Sequence, residues 1–241
     1  MLNSWDARRD YIIAGDRKET VDFAAGHWVH TAKRAIQTRG RFAVALSGGS
    51  TPSEIYELLV AKAQLDWSKV WLFWSDERAA PPEHPDSNFH MAMKSFQRVP
   101  IPSSQIFRMK TEKDIEKNAL DYEETIQSIL GKHLFDLVML GVGEDGHTAS
   151  LFPNTQGLAI KDKLVIANYI PQKKSWRMSL TFPCINQSFH SVIYALGKSK
   201  QFIVPKVLEA AVISEFPASC VGTVDHKTFW ILDSDAASHI K

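Results

Sequence analysis

Short, wholly apolar runs alternate along the chain with longer segments of helical periodicity, and this alternation limits the folds that the chain can adopt. Five apolar residues in a row, as in Phe42–Leu46, fit a strand that is buried on both faces, as in a parallel sheet. Strands are predicted at 42–46, 70–74, 134–140, 164–168, 177–180, 192–196 and 229–232. Strands that alternate with helices predict an α/β fold, with a mostly parallel sheet flanked by helices on both faces.

The intervening helices are predicted over 20–37, 52–63, 88–96, 114–130 and 200–211. Thr20 and Ser87 are the expected N-caps, Pro52 suits the first turn of its helix, and Gly131 is expected to end the helix before it. No linker rich in Pro, Gly or Ser and no internal repeat interrupts the 241 residues, and 79–85 is typical of a surface loop. We therefore expect a single domain over 1–241.

The composition offers no general surplus of charge, so any anion must be bound by a local site. The 28 basic and 27 acidic residues give a net charge of +1, and no nucleic-acid or membrane partner is expected. The sequence has no apolar signal segment and no run of eighteen apolar residues, which predicts a cytoplasmic protein. Cys184 and Cys220 lack CxxC spacing and are expected to be buried thiols. We expect a monomer or a weak homo-oligomer.

Ligands of such sheets bind outside the carboxyl ends of the strands, and the residues that follow three of the predicted strands are polar. The first exit has the sequence SGGSTP over 47–52 and opens a helix. Two glycines allow close approach of a ligand, and the free N–H groups of a helix N-terminus favour a phosphate. The alternative is a tight turn without a ligand. The candidate phosphate-binding residues are Ser47, Gly48, Gly49, Ser50 and Thr51.

The second exit, 75–78, carries three consecutive charges directly after an apolar run. These charges are expected at the carboxyl edge of the strand and outside the core. Arg78 could bind a phosphate with its guanidinium or pair with Asp76 or Glu77. A solvated turn is the alternative, and the following residues 86–88 are typical of a helix cap.

The third exit has the sequence GVGEDGHTASLFP over 141–153, in which three glycines precede a histidine. His147 at a predicted ligand edge can act as a general base near neutral pH, and a carboxylate can fix its tautomer. The sequence lacks the GxSxG, HExxH and CxxC motifs, which argues against a serine hydrolase and against a zinc site. Five basic residues lie late in the chain, and most of them are expected to be solvated: Lys173, Lys174, Lys198 and Lys200. The fifth, Arg177, stands out because it directly precedes an alternating apolar stretch.

Together these segments resemble the 6-phosphogluconolactonase family, within the wider group of glucosamine-6-phosphate deaminase-like enzymes. The resemblance is carried by LSGGSTP at 46–52, DER at 76–78 followed by Ser87 and Asn88, GVGEDGHTASLFP at 141–153, RMSLT at 177–181 and GKSK at 197–200. It implies a NagB/RpiA-like three-layer sandwich. Glu144 departs from the family pattern, in which proline or another residue often stands at this position.

The resemblance implies hydrolysis of 6-phospho-D-glucono-1,5-lactone to 6-phosphogluconate, in the oxidative pentose phosphate pathway, without a metal or an organic cofactor. It makes His147 the base that activates water, while Asp145 and Asp76 both remain candidates for orienting the imidazole. The substrate phosphate is expected against 47–51, with Arg78, Arg177 and Lys200 supplying positive charge. The partner is then a small-molecule phosphosugar lactone.

Two other functions use the same scaffold. An aminosugar-phosphate deaminase or isomerase needs a further carboxylate near the reacting carbon, beyond Asp145 and Asp76. A sugar-phosphate sensor would keep the phosphate loop without catalysis, but His147 is present and no basic DNA-binding extension precedes the domain.

Overall fold

The computed structural model describes residues 2–131, 134–210 and 215–240. Over these ranges the strands are β1 (Asn3–Asp6), β2 (Arg9–Ile13), β3 (Phe42–Leu46), β4 (Val70–Trp74), β5 (Asp76–Arg78), β6 (Leu137–Gly141), β7 (Val165–Ile170), β8 (Ser175–Leu180), β9 (Ser191–Ala195) and β10 (Thr228–Leu232). The α-helices are α1 (Arg17–Arg39), α2 (Ser50–Lys62), α3 (Asn88–Phe96), α4 (Ile115–Leu130), α5 (Phe182–Asn186) and α6 (Ile203–Glu209).

A seven-stranded sheet forms the centre of the molecule, in the order β1-β2-β10-β9-β6-β3-β4. Only the β1–β2 pair within it is antiparallel among the described strands. Every residue of β3 and of β9 is buried. Because successive side chains of a strand point to opposite faces, both faces of the sheet are covered. The predicted α/β class with a mostly parallel, flanked sheet is confirmed.

The order of the strands reverses between β3 and β6. From β3 the chain crosses through α2 to β4 on one side, and β6, β9 and β10 then follow on the other side. Such a reversal opens a crevice at the carboxyl ends of the two strands, because their connections leave in opposite directions. The segments 47–49 and 142–147 both begin there, directly after β3 and β6.

A second, antiparallel sheet in the order β5-β8-β7 lies after β4 along the chain. Its register places Arg78 opposite Arg177. Two of the predicted strands, 164–168 and 177–180, are the antiparallel pair β7–β8 of this small sheet and are not part of the parallel one. The charged segment 76–78, predicted as a polar exit, is the edge strand β5 of this sheet. The β1–β2 pair and the short helix α5 are further elements that the sequence analysis does not predict.

The helix boundaries follow the capping chemistry. Ser87 caps α3 and Gly131 ends α4, as predicted. The prediction of Thr20 as the cap of α1 is wrong, because the N-cap is Asp16, four residues earlier, whose carboxylate forms a reciprocal capping box with Glu19. The predicted helix 200–211 is a 3-10 turn followed by α6, and its last residue lies outside the described residues.

The core gathers around the parallel sheet and includes three fully buried tryptophans, Trp28, Trp74 and Trp230. Cys184 is a buried free thiol as predicted, whereas Cys220 is only half-buried. None of the described helices has both the length and the apolar character that crossing a bilayer requires. The single domain over 1–241 stays a prediction.

Candidate active site

A cleft of about 420 Å³ lies over the crevice between β3 and β6. Its walls come from the exits of four parallel strands and from the small antiparallel sheet, so residues distant in sequence meet there. The polar and charged residues that line the cleft are Ser47, Asp76, Arg78, Asn88, His147, Ser150, Lys173, Arg177 and Lys200. The three polar strand exits singled out in the sequence therefore converge on one site.

His147 and Asp145 form a dyad at this cleft. The His147 Nδ1 atom lies 2.5 Å from Asp145 Oδ1, and the His147 backbone N–H also donates to the same carboxylate oxygen. Because an ionised carboxylate can only accept, Nδ1 carries the proton and Nε2 is the basic nitrogen of the ring. Partial burial acts to raise the pKa of Asp145, but the hydrogen bonds and charge of His147 outweigh it and lower that pKa.

The loop around His147 has room for the imidazole because Gly143 has no side chain. A Cβ at Gly143 would lie 2.0 Å from His147 Nδ1, so no other residue fits there without a shift. Gly146 has φ of 77° and Phe216 packs against it. On the far side the Phe152 ring stacks on the imidazole, with 3.8 Å between centroids. The ring is thus held by stacking and by the Asp145 hydrogen bond together.

Asp76 lies in the same cleft but in a different hydrogen-bond network. Its Oδ2 accepts from Ser150 Oγ at 2.6 Å and its Oδ1 accepts from Asn88 Nδ2 at 3.1 Å. Of the two carboxylates considered for orienting His147, Asp145 is therefore the one that contacts it. Asp76 and Glu77 were expected outside the core, yet both are buried, because four donors satisfy Glu77 and two satisfy Asp76.

Four cationic side chains line the cleft, and none of them has a carboxylate ion-pair partner within the described ranges: Arg78, Lys173, Arg177 and Lys200. Arg78 donates to a backbone carbonyl, that of Asp86. By contrast, Arg9, Arg17 and Arg39 elsewhere in the molecule all pair with acidic side chains. The net charge of +1 therefore conceals a concentration of positive charge at one place.

Arg177 is the most constrained of these cations. Its Nε is buried without a hydrogen-bond partner in the described structure. Burial lowers the pKa of Arg177, and the neighbouring charge of Arg78 acts in the same direction. Two adjacent guanidinium groups, one of them partly desolvated, form a site that gains from a bound anion.

The helix α2 presents its N-terminus beside these cations. Its N-cap, Gly49, has φ of 108°, and no side chain of the described residues caps the helix, so the first N–H groups are left for another acceptor. Ser47 and Gly48 line the cleft, while Gly49 is the N-cap and Ser50 and Thr51 are the first residues of α2. The Tyr56 hydroxyl fixes the backbone at Ser47, because it accepts from the Ser47 N–H and donates to the Ser47 carbonyl.

Gly48 and Asn88 are packed tightly against each other. A Cβ at Gly48 would lie 1.9 Å from Asn88 Oδ1, and Asn88 in turn holds Asp76. The residues 86–88 predict a helix cap, and Asn88 in addition lines the cleft, which this local pattern does not indicate. Ser150 and Lys173 were missed as well, although the position of Ser150 within the 141–153 motif was a usable signal. Lys173 was expected to be solvated, and its sequence context gives no signal for its place in the cleft.

A larger cavity, of about 560 Å³, lies between α3 and α4. Its floor includes Phe107 and Tyr122, and its arginine, Arg108, is already neutralised by Glu112. Its described lining contains no histidine and no arginine without a carboxylate partner. Within the described residues, no three or more His, Cys, Asp or Glu side chains are grouped so that they could hold a metal ion.

Comparison with known proteins agrees with this geometry. A family model described as glucosamine-6-phosphate isomerases/6-phosphogluconolactonase matches residues 15–230. The 6-phosphogluconolactonase of Chlamydia muridarum is 44% identical over 232 residues, which cover 95% of this chain and 90% of that protein. The solved 6-phosphogluconolactonase from Trypanosoma cruzi has a TM-score of 0.83 at 27% identity and covers 96% of each chain.

The solved 6-phosphogluconolactonase from Thermotoga maritima has a TM-score of 0.81 at 29% identity, covering 92% of this chain and 99% of that one. The resemblance found in the sequence motifs is thereby confirmed along nearly the whole chain. The chain belongs to the glucosamine-6-phosphate isomerase/6-phosphogluconolactonase family.

Proposed function

We propose that the protein hydrolyses 6-phospho-D-glucono-1,5-lactone to 6-phospho-D-gluconate, with His147 as the general base. The observation that carries this proposal is the presence, in one cleft, of a histidine–carboxylate dyad and four cations that have no carboxylate partner among the described residues. The dyad supplies a base, and the cations match a substrate that carries a phosphate dianion. The similarity to proteins named 6-phosphogluconolactonase supports the same reaction.

The phosphate end of the substrate is assigned to the part of the cleft formed by 47–51, Arg78 and Arg177, with Lys200 contributing from the exit of β9. An uncapped helix N-terminus donates N–H groups to phosphate oxygens, and a guanidinium can donate two parallel hydrogen bonds. Lys200 follows Gly197, whose N–H is fixed by the Asp233 carboxylate at 2.8 Å. This anchoring holds the turn that carries Lys200 at the edge of the cleft.

At the reacting end, water attacks the lactone carbonyl carbon while His147 Nε2 takes one of its protons. The new C–O bond leaves a tetrahedral oxyanion, and the imidazolium is stabilised by the Asp145 carboxylate. The bond from the carbonyl carbon to the ring oxygen then breaks, and the imidazolium returns its proton to that oxygen. The product holds a new hydroxyl and a carboxylic acid that ionises at neutral pH, and the base is regenerated.

Deamination or isomerisation of an aminosugar phosphate is the second candidate function, and Asp76 is the observation that favours it. A buried carboxylate in the cleft could move a proton between carbons. Both of its oxygens already accept hydrogen bonds, from Ser150 and Asn88, which favours a binding role over proton transfer. We expect no release of ammonia from glucosamine 6-phosphate, and measurable release would favour this second function.

The decisive assay generates the lactone with glucose-6-phosphate dehydrogenase and follows its hydrolysis with 6-phosphogluconate dehydrogenase. The purified protein is expected to accelerate NADPH formation in the second step well above the spontaneous rate. Unphosphorylated gluconolactone, whose hydrolysis is followed by the acid that it releases, serves as the matched substrate, and its kcat/KM is expected to be at least about 100-fold lower, because the phosphate contacts are lost. A rate equal to the blank without protein would overturn the proposal and leave binding as the remaining role.

A further inference from the structure

A buried glutamate next to the cleft, Glu77, has a hydrogen-bond environment that the mechanism does not use. Its side chain is almost inaccessible, with 2% of the residue exposed. Oε1 accepts from the backbone N–H groups of Arg78 and Asn88, at 2.8 and 2.7 Å. Oε2 accepts from the Phe89 backbone N–H at 2.8 Å and from the Ser87 hydroxyl at 3.0 Å.

Each carboxylate oxygen thus accepts two hydrogen bonds. Only the ionised carboxylate can accept all four, because a protonated one must use one of its oxygens as a donor. Burial raises the pKa of Glu77, and the three backbone donors act against that rise. Three of the four donors belong to the first residues of α3 and its cap, so the charge also lies at the positive end of that helix. No basic side chain forms an ion pair with Glu77 in the described structure.

The hydrogen bonds join the two ends of one loop, because Arg78 ends β5 and Asn88 begins α3. Both of these residues line the cleft. Arg78 Nη1 also reaches across the same loop to the Asp86 carbonyl, and Asn88 Nδ2 donates to the Asp76 carbonyl and carboxylate. The positions of one anion-binding guanidinium and of the amide that holds Asp76 therefore both depend on Glu77.

We propose that Glu77 is a positioning residue for substrate binding. By bonding to both ends of the 79–87 loop, it holds Arg78 and Asn88 in the positions from which they contact the anionic ligand. This inference rests on the proposed function. It assigns Glu77 to the binding of substrate and not to the chemical step, because none of its four partners is His147 or Asp145. Its loss is therefore expected to act on KM and to leave kcat largely intact.

The test is Glu77→Gln in the full chain, with lactone hydrolysis measured over a range of substrate concentrations. The amide keeps the shape but has one oxygen, so its NH₂ group faces two donors and two hydrogen bonds are lost. KM is expected to rise about tenfold, while kcat stays within about threefold of wild type. The inhibition constant of inorganic phosphate, a competitive probe of the anion site, is expected to rise in parallel.

Glu57→Gln is the matched control. Glu57 also accepts from a serine, Ser95, and pairs with Arg98, but it joins α2 to α3 away from the cleft. It is expected to lower the melting temperature without a change in KM. Ser87→Ala removes one of the four donors to Glu77 and is expected to raise KM about threefold.

If the wild-type protein does not hydrolyse the lactone, the proposed function is refuted, and this inference falls with it. If the wild type is active, a Glu77→Gln protein whose kcat falls while its KM is unchanged would overturn the inference. A residue with a purely structural role lowers the fraction of the protein that is folded and active, which lowers kcat and not KM. If Glu77→Gln does not fold, the decision passes to Ser87→Ala, and an unchanged KM there would overturn it.

Discussion

At the scale of single residues, the proposed chemistry depends on how the neighbours of His147 fix its tautomer and the orientation of its ring. Asp145 accepts from Nδ1, Phe152 covers one face of the ring, and Gly143 leaves room for the imidazole. The lowered pKa of Asp145 keeps this carboxylate ionised from neutral pH down to below the ordinary range of an aspartate. The tautomer with a basic Nε2 is therefore maintained wherever the neutral imidazole exists.

Asp145→Asn tests this arrangement. The amide retains the size of the carboxylate but cannot stabilise an imidazolium, so kcat is expected to fall roughly 100-fold with little change in KM. Glu144→Gln is the control, because it removes an exposed carboxylate from the adjacent position, and its kcat is expected to stay within about twofold of wild type. Equal losses in the two variants would show that general negative charge matters and that the contact with Nδ1 does not.

The sequence was sufficient to predict His147 as the base candidate, because glycines, a strand exit and a nearby carboxylate occur together within 141–147. It could not choose between Asp145 and Asp76, since a carboxylate that is distant in sequence can also contact a histidine in the folded chain. Asp76 bonds to Ser150, which is 74 residues away, and no local pattern encodes such a distance. Local motifs thus predicted the chemical types, and the tertiary contacts determine the roles.

At the scale of elements, the β7–β8 hairpin contributes to the cleft a residue, Lys173, that the sequence predicts to be solvated. The hairpin turn carries Lys173, and Gln172 Nε2 donates to the carbonyl of Pro153, the last residue of the 141–153 segment. The Lys174 N–H also closes the turn on the Pro171 carbonyl. A lysine on an anchored turn stays at the mouth of the cleft, where its charge can attract an anionic substrate.

Two adjacent lysines make this testable, because Lys173 lines the cleft and Lys174 is not among the described lining residues. Lys173→Gln is expected to lower kcat/KM about threefold to fivefold at low ionic strength, and the loss is expected to shrink as salt is added. Lys174→Gln removes the same charge one residue away and is expected to leave kcat/KM unchanged. The same salt-dependent loss in both variants would mean that net charge and not position is responsible.

The sequence predicted the buried parallel strands best, since 42–46 and 70–74 match β3 and β4 at both ends. Five consecutive apolar residues leave little choice of structure. The strands β1, β2 and β5 were missed because residues such as Arg9, Asp10 and Glu77 break the apolar pattern. Arg9 is nevertheless buried, through hydrogen bonds to Asp6 and to the Val207 carbonyl. Such long-range compensation is invisible to periodicity.

At the scale of the whole molecule, the two ends of the parallel strands have different chemistry. The carboxyl ends carry the cleft, whereas His190 precedes β9 and His226 precedes β10 at the opposite end. His27 of α1 lies at this second end, with its ring 5.3 Å from that of Phe229 and its Nδ1 buried without a described partner. Burial lowers the pKa of His27 to about 4, and the nearby His190 and His30 act in the same direction.

This predicts a loss of stability in mild acid that is separate from catalysis. The unfolded chain takes up a proton on His27 near pH 6.5 and the folded chain only near pH 4. The contribution of neutral His27 to the free energy of unfolding is therefore complete above pH 6.5 and is lost as the pH falls towards 4. The difference amounts to at most about 3 kcal/mol. Urea denaturation at pH 7.5 and 4.5 is expected to show a smaller decrease for His27→Gln than for wild type.

His84→Gln is the control for that experiment, because His84 is exposed on the loop between β5 and α3. Its stability is expected to fall between the two pH values as much as that of the wild type. An equal fall for His27→Gln would show that other groups, and not His27, cause the acid sensitivity.

The central claim is that His147 performs the chemical step in a cleft that binds the substrate independently of it. The most direct measurement compares wild type, His147→Gln and, as control, His30→Gln, whose histidine is exposed on α1. We predict that His147→Gln lowers kcat for the lactone by roughly 10² to 10⁴ while the Kd of 6-phosphogluconate changes less than about threefold. His30→Gln is expected to match wild type. Retention of more than about a tenth of the wild-type kcat by His147→Gln would contradict the account.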